Sequence, residues 1–298
     1  MTVTEVSVAG VSVAFRRRAG IPGLHGPAAV AALDDVSIDL RRHETLALVG
    51  ESGSGKTTLG RAIVGLQAPT SGQILIGGQP LALLLRKDFL RTRRRLQIIF
   101  QDPGSSLTPW MTVGKAIAEP LLKHKIAVSR TDALRRAAEL LELVGLSPAS
   151  AGRYPGDLSG GQRQRVAIAR AIGVQPEVLV CDEITSGLDA SVRARIVNLL
   201  ADIRSERPLT QVFITHDLHL AQAVSNRVAV LQAGRLVEIG DAAQVFEHPE
   251  HPYTRRLRAA QPTLADLPEL PELPDRAAPP NPAVSKSPNA PEEGPARQ

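Results

Sequence analysis

A glycine-rich segment near the N-terminus has the residue types and spacing of a phosphate-binding loop. Residues 50–57 read Gly-Glu-Ser-Gly-Ser-Gly-Lys-Thr, and they stand between a short apolar run and a helical pattern. Glycines let such a loop wrap so that its backbone N–H groups point at phosphate oxygens, and the N-terminus of the following helix adds positive potential. We expect Lys56 to reach the β- and γ-phosphates of a nucleotide and Thr57 to ligate Mg²⁺.

Two adjacent carboxylates end a second apolar run, Val178–Glu183. At the carboxyl end of a parallel strand, Asp182 could hold Mg²⁺ through water, and Glu183 could polarise a water in line with the γ-phosphate. Taken alone, the same residues would describe a strand that ends in a solvated acidic turn. Together with the phosphate loop, they favour nucleotide hydrolysis.

A third segment, Leu158–Arg165, reads Leu-Ser-Gly-Gly-Gln-Arg-Gln-Arg. Ser159, with Gln162 three residues later, has the capping-box pattern that starts many helices. Two glycines in the first turn of a helix cost roughly 1 kcal/mol each relative to alanine. Gly160 and Gly161 therefore make sense where another surface, such as a nucleotide, approaches the backbone. The first five residues of this segment reproduce the signature of ATP-binding-cassette (ABC) ATPases, and the chain resembles that family.

The resemblance assigns expected roles to further residues. Gln101 matches the glutamine that senses Mg²⁺ and touches the membrane partner, and residues 186–189 match the D-loop. His216 matches the switch histidine that contacts the γ-phosphate, and Phe15 takes the place of the aromatic residue that stacks on adenine. Without this context, His216 would be interpreted as a structural histidine and Phe15 as a core aromatic residue.

The resemblance implies a complete ATPase site with ATP and Mg²⁺ as cofactors. The catalytic residues would be Lys56, Glu183 and His216, and those that hold the metal would be Thr57, Gln101 and Asp182. The nucleotide would contact residues of every motif: Phe15, Gly50, Glu51, Ser52, Gly53, Ser54, Gly55, Lys56, Thr57, Thr58, Gln101, Ser159, Gly160, Gly161, Gln162 and Asp189.

Three longer segments narrow the resemblance to the ATPase subunits of dipeptide and oligopeptide importers, a subfamily that includes nickel importers. They are Phe100–Leu121, Arg153–Ile172 and Phe246–Pro262, and His248–Thr254 is the most telling part. The two histidines of that part make a weak metal site because no cysteine stands nearby. For the same reason, the iron–sulfur cluster that extra cysteines hold in some relatives is not expected here.

Two residues after Glu183 depart from the family pattern. Ile184 stands where proline is usual, and Gly187 stands where alanine is common. Both changes are expected to loosen the backbone, since proline fixes φ and glycine frees it. Neither removes a reacting group, so we expect hydrolysis to survive although its rate could change.

The elements around these motifs predict an α/β fold. Strand patterns over residues 3–15, 33–40 and 44–50 precede a helical pattern over 56–66, and strands then alternate with helices. Such alternation favours a parallel sheet covered on both faces. With the resemblance, we expect a P-loop NTPase (RecA-like) core with N-terminal antiparallel strands and an inserted α-helical subdomain over about 102–160.

Within that helical part, one periodic face identifies a buried stripe. The spacing predicts that it is formed by Leu134, Ala137, Ala138, Leu141 and Val144. Gly145 is expected to end the helix. A peptide-importer-type segment over about 241–260 would complete an ABC ATPase domain of residues 1–260.

Composition limits the class of protein. The 298 residues carry a formal net charge of +5, and 43% of them are hydrophobic, which excludes a wholly disordered chain. The one cysteine, Cys181, excludes a disulfide framework within the chain and is interpreted as a small apolar filler. Aromatic residues make up only 3%, which argues against recognition of bases by ring stacking.

Two segments invite other interpretations. Residues 261–298 are predicted to be a disordered tail, since 10 prolines follow position 261. Six basic residues between positions 86 and 95 are predicted to form a solvated face. The alternatives for this run are attraction to anionic lipid headgroups or to nucleic acid.

The resemblance also implies partners. No apolar run approaches the roughly 18 residues of a membrane helix, and no secretory signal is visible. We therefore expect a cytoplasmic subunit, peripheral to the membrane, that pairs with a second ABC ATPase subunit (a different one favoured over an identical one). Two transmembrane permease subunits and an extracytoplasmic solute-binding protein would complete the assembly, without nucleic acid. The expected cargo is di- or oligopeptides, with nickel or another small solute as the alternative. A soluble ABC ATPase of DNA repair or translation and an inactive cassette are the competing interpretations.

Overall fold

The computed structural model describes residues 4–16, 29–206 and 209–260. The loop between the first two strands and the proline-rich tail predicted from the sequence lie outside these residues. None of the helices in the described ranges is both long and apolar enough to cross a membrane.

The N-terminal strands form an antiparallel sheet, as the resemblance implies. Its order is β2-β1-β4-β5. The strands are β1 (Thr4–Arg16), β2 (Ala29–Arg41), β4 (Ser71–Ile76) and β5 (Gln79–Pro80). Alternate residues in each half of β1, Val6 and Val8 and then Val11 and Val13, face a core that β2 and β4 share, and an irregularity between Val8 and Val11 shifts the alternation. This alternation is why the segment forms a half-buried strand.

The second sheet is mainly parallel and carries the motifs. Its order is β10-β9-β3-β8-β7-β6, with β10 antiparallel at the edge. The strands are β3 (Thr45–Val49), β6 (Leu96–Ile99), β7 (Val178–Asp182), β8 (Thr210–Ile214), β9 (Arg227–Gln232) and β10 (Arg235–Asp241). Every residue of β3, β7 and β8 is buried, as expected for continuous apolar runs covered on both faces.

Helices connect and cover the strands, which confirms the predicted α/β class. They are α1 (Lys56–Ile63), α2 (Leu81–Lys87), α3 (Phe89–Arg95), α4 (Pro103–Ser106), α5 (Val113–Lys123), α6 (Arg130–Leu143), α7 (Gly160–Gly173), α8 (Ala190–Glu206), α9 (Leu218–Val224), α10 (Ala242–Glu247) and α11 (Pro252–Ala259). Between β6 and α7 the chain forms α4, α5, α6 and two 3₁₀ turns, in the region where the sequence predicts a helical insert. Its limits remain a prediction.

The buried stripe of α6 passes through Ala133, one residue before Leu134 of the predicted stripe. Ala133, Ala137 and Leu141 are buried, whereas Leu134 is 39% exposed, so its assignment to the core is wrong. Residues four apart lie one above the other on a helix, and the stripe through Ala133 faces the core cluster that α5 and α7 share. Alanines at two of its three positions let the neighbouring helices approach closely.

Gly145 ends α6 as predicted. Its φ is +70°, and its N–H donates to the Glu142 carbonyl at 2.9 Å. The N–H of Leu146 donates to the Leu141 carbonyl at 2.8 Å, which closes a Schellman motif.

We predict that Gly145→Ala lowers the free energy of unfolding by about 1 kcal/mol, because alanine is strained at positive φ. The added methyl group would also lie 3.3 Å from the Arg165 guanidinium. Urea unfolding of the whole chain measures the effect. Gly152→Ala is the matched control, since nothing lies within 4 Å of that methyl group; an equal loss in both variants would contradict the assignment.

Candidate nucleotide site

The glycine-rich loop leads from β3 into α1, as predicted. Gly50 has φ +148° and Gly55 has φ +103°. A Cβ atom at Gly50 would lie 2.2 Å from the Leu231 carbonyl oxygen, and one at Gly55 would lie 2.5 Å from the Ala32 carbonyl oxygen. Both positions therefore need glycine, because backbone from β9 and β2 packs directly against the loop.

The Lys56 side chain is held inside this loop. Its Nζ donates to the carbonyls of Gly50 at 2.8 Å and Glu51 at 2.7 Å, and the residue is only 4% exposed. Burial lowers the pKa of Lys56, although the charges of Glu183, Asp182 and Glu51 oppose that shift. The ammonium is thus held by two backbone carbonyls, within range of the charges of nearby carboxylates.

A hydrogen bond joins α1 to the end of β7. Thr57 Oγ1 donates to Asp182 Oδ1 at 2.9 Å, and Asp182 is 2% exposed. Burial raises the pKa of Asp182, while the Thr57 hydrogen bond and the Arg61 charge act in the opposite direction. Two of the three residues expected to hold Mg²⁺ are therefore in direct contact.

Three predicted residues converge at the carboxyl ends of neighbouring strands. Gln101 follows β6, Glu183 follows β7 and His216 follows β8. Gln101 Nε2 donates to Glu183 Oε2 at 2.9 Å, and His216 Nδ1 lies 3.7 Å from Glu183 Oε1. Glu183 has φ +47°, and its N–H donates to the Ile214 carbonyl at 3.0 Å. This tight turn aims the carboxylate at the edge where parallel α/β sheets bind ligands.

The signature residues form the predicted capping box. The N–H of Gln162 donates to Ser159 Oγ at 3.3 Å, and the N–H of Ser159 donates to Gln162 Oε1 at 2.9 Å. A Cβ atom at Gly161 would lie 2.7 Å from Val192 of α8, so this glycine is explained by packing within the chain. Gly160 has nothing within 4 Å and leaves its backbone open to an approaching surface.

Asp189 caps the next helix. Its Oδ1 accepts hydrogen bonds from the Val192 N–H at 2.9 Å and the Ser191 hydroxyl at 2.8 Å. These hydrogen bonds lower the pKa of Asp189. Near Gly161, α7 therefore packs against Val192 in the first turn of α8, the helix that follows the D-loop.

Two sequence interpretations change with the structure. Phe15 is 46% exposed at the end of β1, so the alternative of a core aromatic residue is wrong. Ile184 is buried in the core that contains α7 and α8. Packing of the Ile184 side chain thus restricts the backbone in place of the proline ring. Gly187, with φ +70°, has open space around it.

Two further contacts reach these motifs and were not expected from the sequence. Tyr253 Oη accepts a hydrogen bond from the Glu51 N–H at 3.0 Å. Arg193 of α8 donates to Asp217, the residue after His216, at 3.0 Å. Short spacings identify caps and loops, but neither contact joins residues that are close in the sequence, so no local pattern signals it.

The opposite pKa shifts of two aspartates give a prediction. Because the folded chain raises the pKa of Asp182, its ionisation weakens the fold as the pH rises through that pKa. We expect Asp182→Asn to raise the free energy of unfolding at pH 7, with a gain that disappears in acid.

Asp189→Asn is the matched control with the opposite sign, since the fold lowers the pKa of Asp189. It is expected to be less stable than the wild type at pH 7. This difference should disappear as the pH falls through the lowered pKa, because the wild type then loses the same stabilisation. Urea unfolding at several pH values measures both variants. Equal changes in the free energy of unfolding of the two variants would contradict the opposite pKa shifts assigned to Asp182 and Asp189.

Comparison with known proteins agrees with this geometry. The family described as ABC transporter matches residues 33–186. The oligopeptide transport ATP-binding protein OppF of Bacillus subtilis is 47% identical over 234 residues, which cover 78% of this chain and 77% of that protein. The glutathione import ATP-binding protein GsiA of Escherichia coli is 48% identical over 233 residues, but the match covers only 37% of its length.

Solved structures show the same fold. The ATP-binding cassette MJ0796, a dimer in a post-hydrolysis state bound to ADP and Pi, has a TM-score of 0.70 at 30% identity, with 80% of this chain and 98% of that chain covered. The cbiO1 protein of Clostridium perfringens, part of the ABC transporter complex cbiONQ, has a TM-score of 0.68 at 27% identity, with 82% and 91% covered. From the family match and these relatives, the chain belongs to the ABC transporter family, as one of its ATP-hydrolysing cassettes.

Proposed function

We propose that this chain is the motor subunit of an ABC importer, which couples ATP binding and hydrolysis to the uptake of di- or oligopeptides. The observation that carries the proposal is the convergence of Gln101, Glu183 and His216 beside the Thr57–Asp182 pair. The assignment of peptides as the cargo rests on the relatives, which are named for oligopeptide and glutathione import.

The phosphates would bind across the N-terminus of α1. Lys56 exchanges the carbonyls of Gly50 and Glu51 for the β- and γ-phosphates, where its charge is better compensated. Ser52, Ser54, Thr58 and the glycines of the loop supply the remaining polar groups. Phe15 offers its exposed ring to adenine.

The donor set beside these phosphates fits Mg²⁺, which prefers oxygen ligands and keeps several waters. Thr57 Oγ1, Asp182 and the amide oxygen of Gln101 would hold it, and the ion would neutralise charge on the phosphates. Burial raises the pKa of Asp182, and a cation beside this carboxylate would favour its ionised form again.

Glu183 is positioned to orient the attacking water. Its carboxylate is hydrogen-bonded by Gln101 and lies near His216, so its two oxygens are fixed relative to both neighbouring strands. His216, 63% exposed, can turn its ring toward the γ-phosphate. Proton transfer to a positioned carboxylate and contact with the phosphate would then accompany cleavage.

The signature helix suggests a second cassette. Ser159 and the open backbone of Gly160 stand at the N-terminus of α7, where an anion is favoured. We propose that this end binds the γ-phosphate held by a partner's loop, as part of a heterodimer. The dimeric form of a similar cassette supports this arrangement.

The other proposed partners are two permeases at the cytoplasmic face of the membrane and an extracytoplasmic solute-binding protein. A groove lined by Gln97, Met111 and Arg170 is proposed to receive the permease. Trp110, 82% exposed next to this groove, adds apolar surface for such a contact.

The basic run argues against nucleic acid as the partner. Arg93 donates to the carbonyls of Val64 and Gly65, Arg94 donates to the Val174 carbonyl, and Arg95 pairs with Glu177. Only the first part of the run is therefore a free solvated face, and the rest fastens α3 to its neighbours.

We predict that Glu183→Gln lowers kcat for ATP by roughly 10²-fold or more, since it removes the carboxylate that orients water. ATP binding should be retained, because Lys56 and Thr57 are unchanged. Phosphate release measures turnover, and a fluorescent ATP analogue measures binding. Glu177→Gln is the control, as it makes the same change at an exposed ion pair with Arg95; unchanged turnover in Glu183→Gln would overturn the assignment.

Uptake by vesicles that contain the chain, its partner cassette and the permeases tests the cargo. We expect ATP-dependent accumulation of labelled di- or oligopeptides when the solute-binding protein is present. Accumulation of nickel with no peptide uptake would contradict the peptide assignment and favour the metal importer.

A further inference from the structure

The C-terminal segment of the described chain reaches the phosphate loop directly. Here we call residues 248–259 the C-terminal brace. Its Tyr253 is buried, and the hydroxyl oxygen accepts the N–H of Glu51 at 3.0 Å, although 202 positions separate the two residues. The Tyr253 ring also packs in the same apolar cluster as Val49, the last residue before the loop. The brace thus contacts the loop through the Tyr253 hydroxyl, and its ring belongs to the apolar cluster that includes the end of β3.

Glu51 links this contact to Lys56. Its N–H is bound by Tyr253, and its carbonyl oxygen accepts from Lys56 Nζ at 2.7 Å. The two faces of one peptide segment are therefore fixed by the brace on one side and by the catalytic ammonium on the other. When Lys56 turns to phosphate, the Tyr253 hydroxyl still accepts the Glu51 N–H, and the Ser54 N–H still donates to the Glu51 carbonyl at 3.2 Å.

The brace is itself anchored to β10. Glu238 accepts the N–H of Glu250 at 2.9 Å and that of His251 at 3.1 Å. Burial alone would raise the pKa of Glu238, but the hydrogen bonds from the Glu250 and His251 N–H groups oppose that effect, and the pKa is lowered overall. His251 Nδ1 in turn accepts the N–H of Tyr253 at 3.2 Å, which starts α11. The tyrosine is therefore held on a fixed backbone.

We propose that Tyr253 is a positioning residue for nucleotide binding, which holds the first turn of the phosphate loop in its binding shape through Glu51. The inference rests on the proposed function, since it assumes that this loop binds ATP. A loop that already has its binding conformation loses less conformational entropy when the phosphates bind, so its rigidity contributes to affinity. The contact between Tyr253 and Glu51 does not involve Glu183, so the hydrolysis step itself does not depend on it.

Tyr253→Phe keeps the buried ring and removes the acceptor. We expect a roughly three- to tenfold rise in KM for ATP, the scale of one lost hydrogen bond, while kcat changes by less than about twofold. Tyr154→Phe is the matched control, because it removes the hydroxyl of the chain's other tyrosine, which is half exposed. Its KM and kcat should equal those of the wild type.

Hydrogen exchange of peptides that cover residues 50–56 supplies a second readout, which needs no catalysis. Exchange in Tyr253→Phe should be faster than in the wild type, because the Glu51 N–H has lost its partner. A lower melting temperature with unchanged KM and unchanged exchange would show a merely structural tyrosine and would overturn the inference.

If Tyr253→Phe fails to fold, Glu238→Gln provides the test, since it weakens the anchor and leaves the tyrosine intact. The same rise in KM is expected, and an unchanged KM would overturn the inference. Failure of the proposed function has a different signature, in which wild-type ATP turnover is absent or persists in Glu183→Gln. Exchange at residues 50–56 then still decides whether Tyr253 holds the loop.

Discussion

The hydrogen bond between Thr57 and Asp182 joins the two halves of the site. It ties the first turn of α1 to the carboxyl end of β7, and so places the phosphate loop beside Glu183. The parallel register of β6, β7 and β8 then brings Gln101 and His216 to the same edge. A hydroxyl donor and a buried carboxylate thus fix the distance on which the proposed phosphate binding and water activation depend.

This arrangement concentrates charge in a poorly solvated place. Burial lowers the pKa of Lys56 and raises that of Asp182, so each ion is held at a cost to the fold. Backbone carbonyls compensate the ammonium, and Thr57 compensates part of the carboxylate. Mg²⁺ and phosphate would relieve the same strain, so an electrostatic cost in the free chain becomes a driving force for binding. Contacts from outside the motifs, such as that of Tyr253 with Glu51, hold the loop while the charges are exchanged.

Much of this could be predicted from the sequence, because short spacings report local chemistry. The glycine loop, the Ser159 capping box and the Gly145 helix stop each depend on a few consecutive residues. The prediction that Leu134 is buried was wrong because two periodic stripes one residue apart fit the same pattern. Only the packing of α6 against α5 and α7 determines which stripe is buried. The Tyr253–Glu51 and Arg193–Asp217 contacts join distant segments, so no local pattern encodes them.

The most direct test of the account is the ATP turnover of the purified chain with and without its permeases and partner cassette in vesicles. An importer motor predicts turnover that rises when both partners are present and rises again with peptide-loaded solute-binding protein. High turnover that is indifferent to the permeases but stimulated by nucleic acid would contradict it, and would assign the cassette to a soluble machine instead.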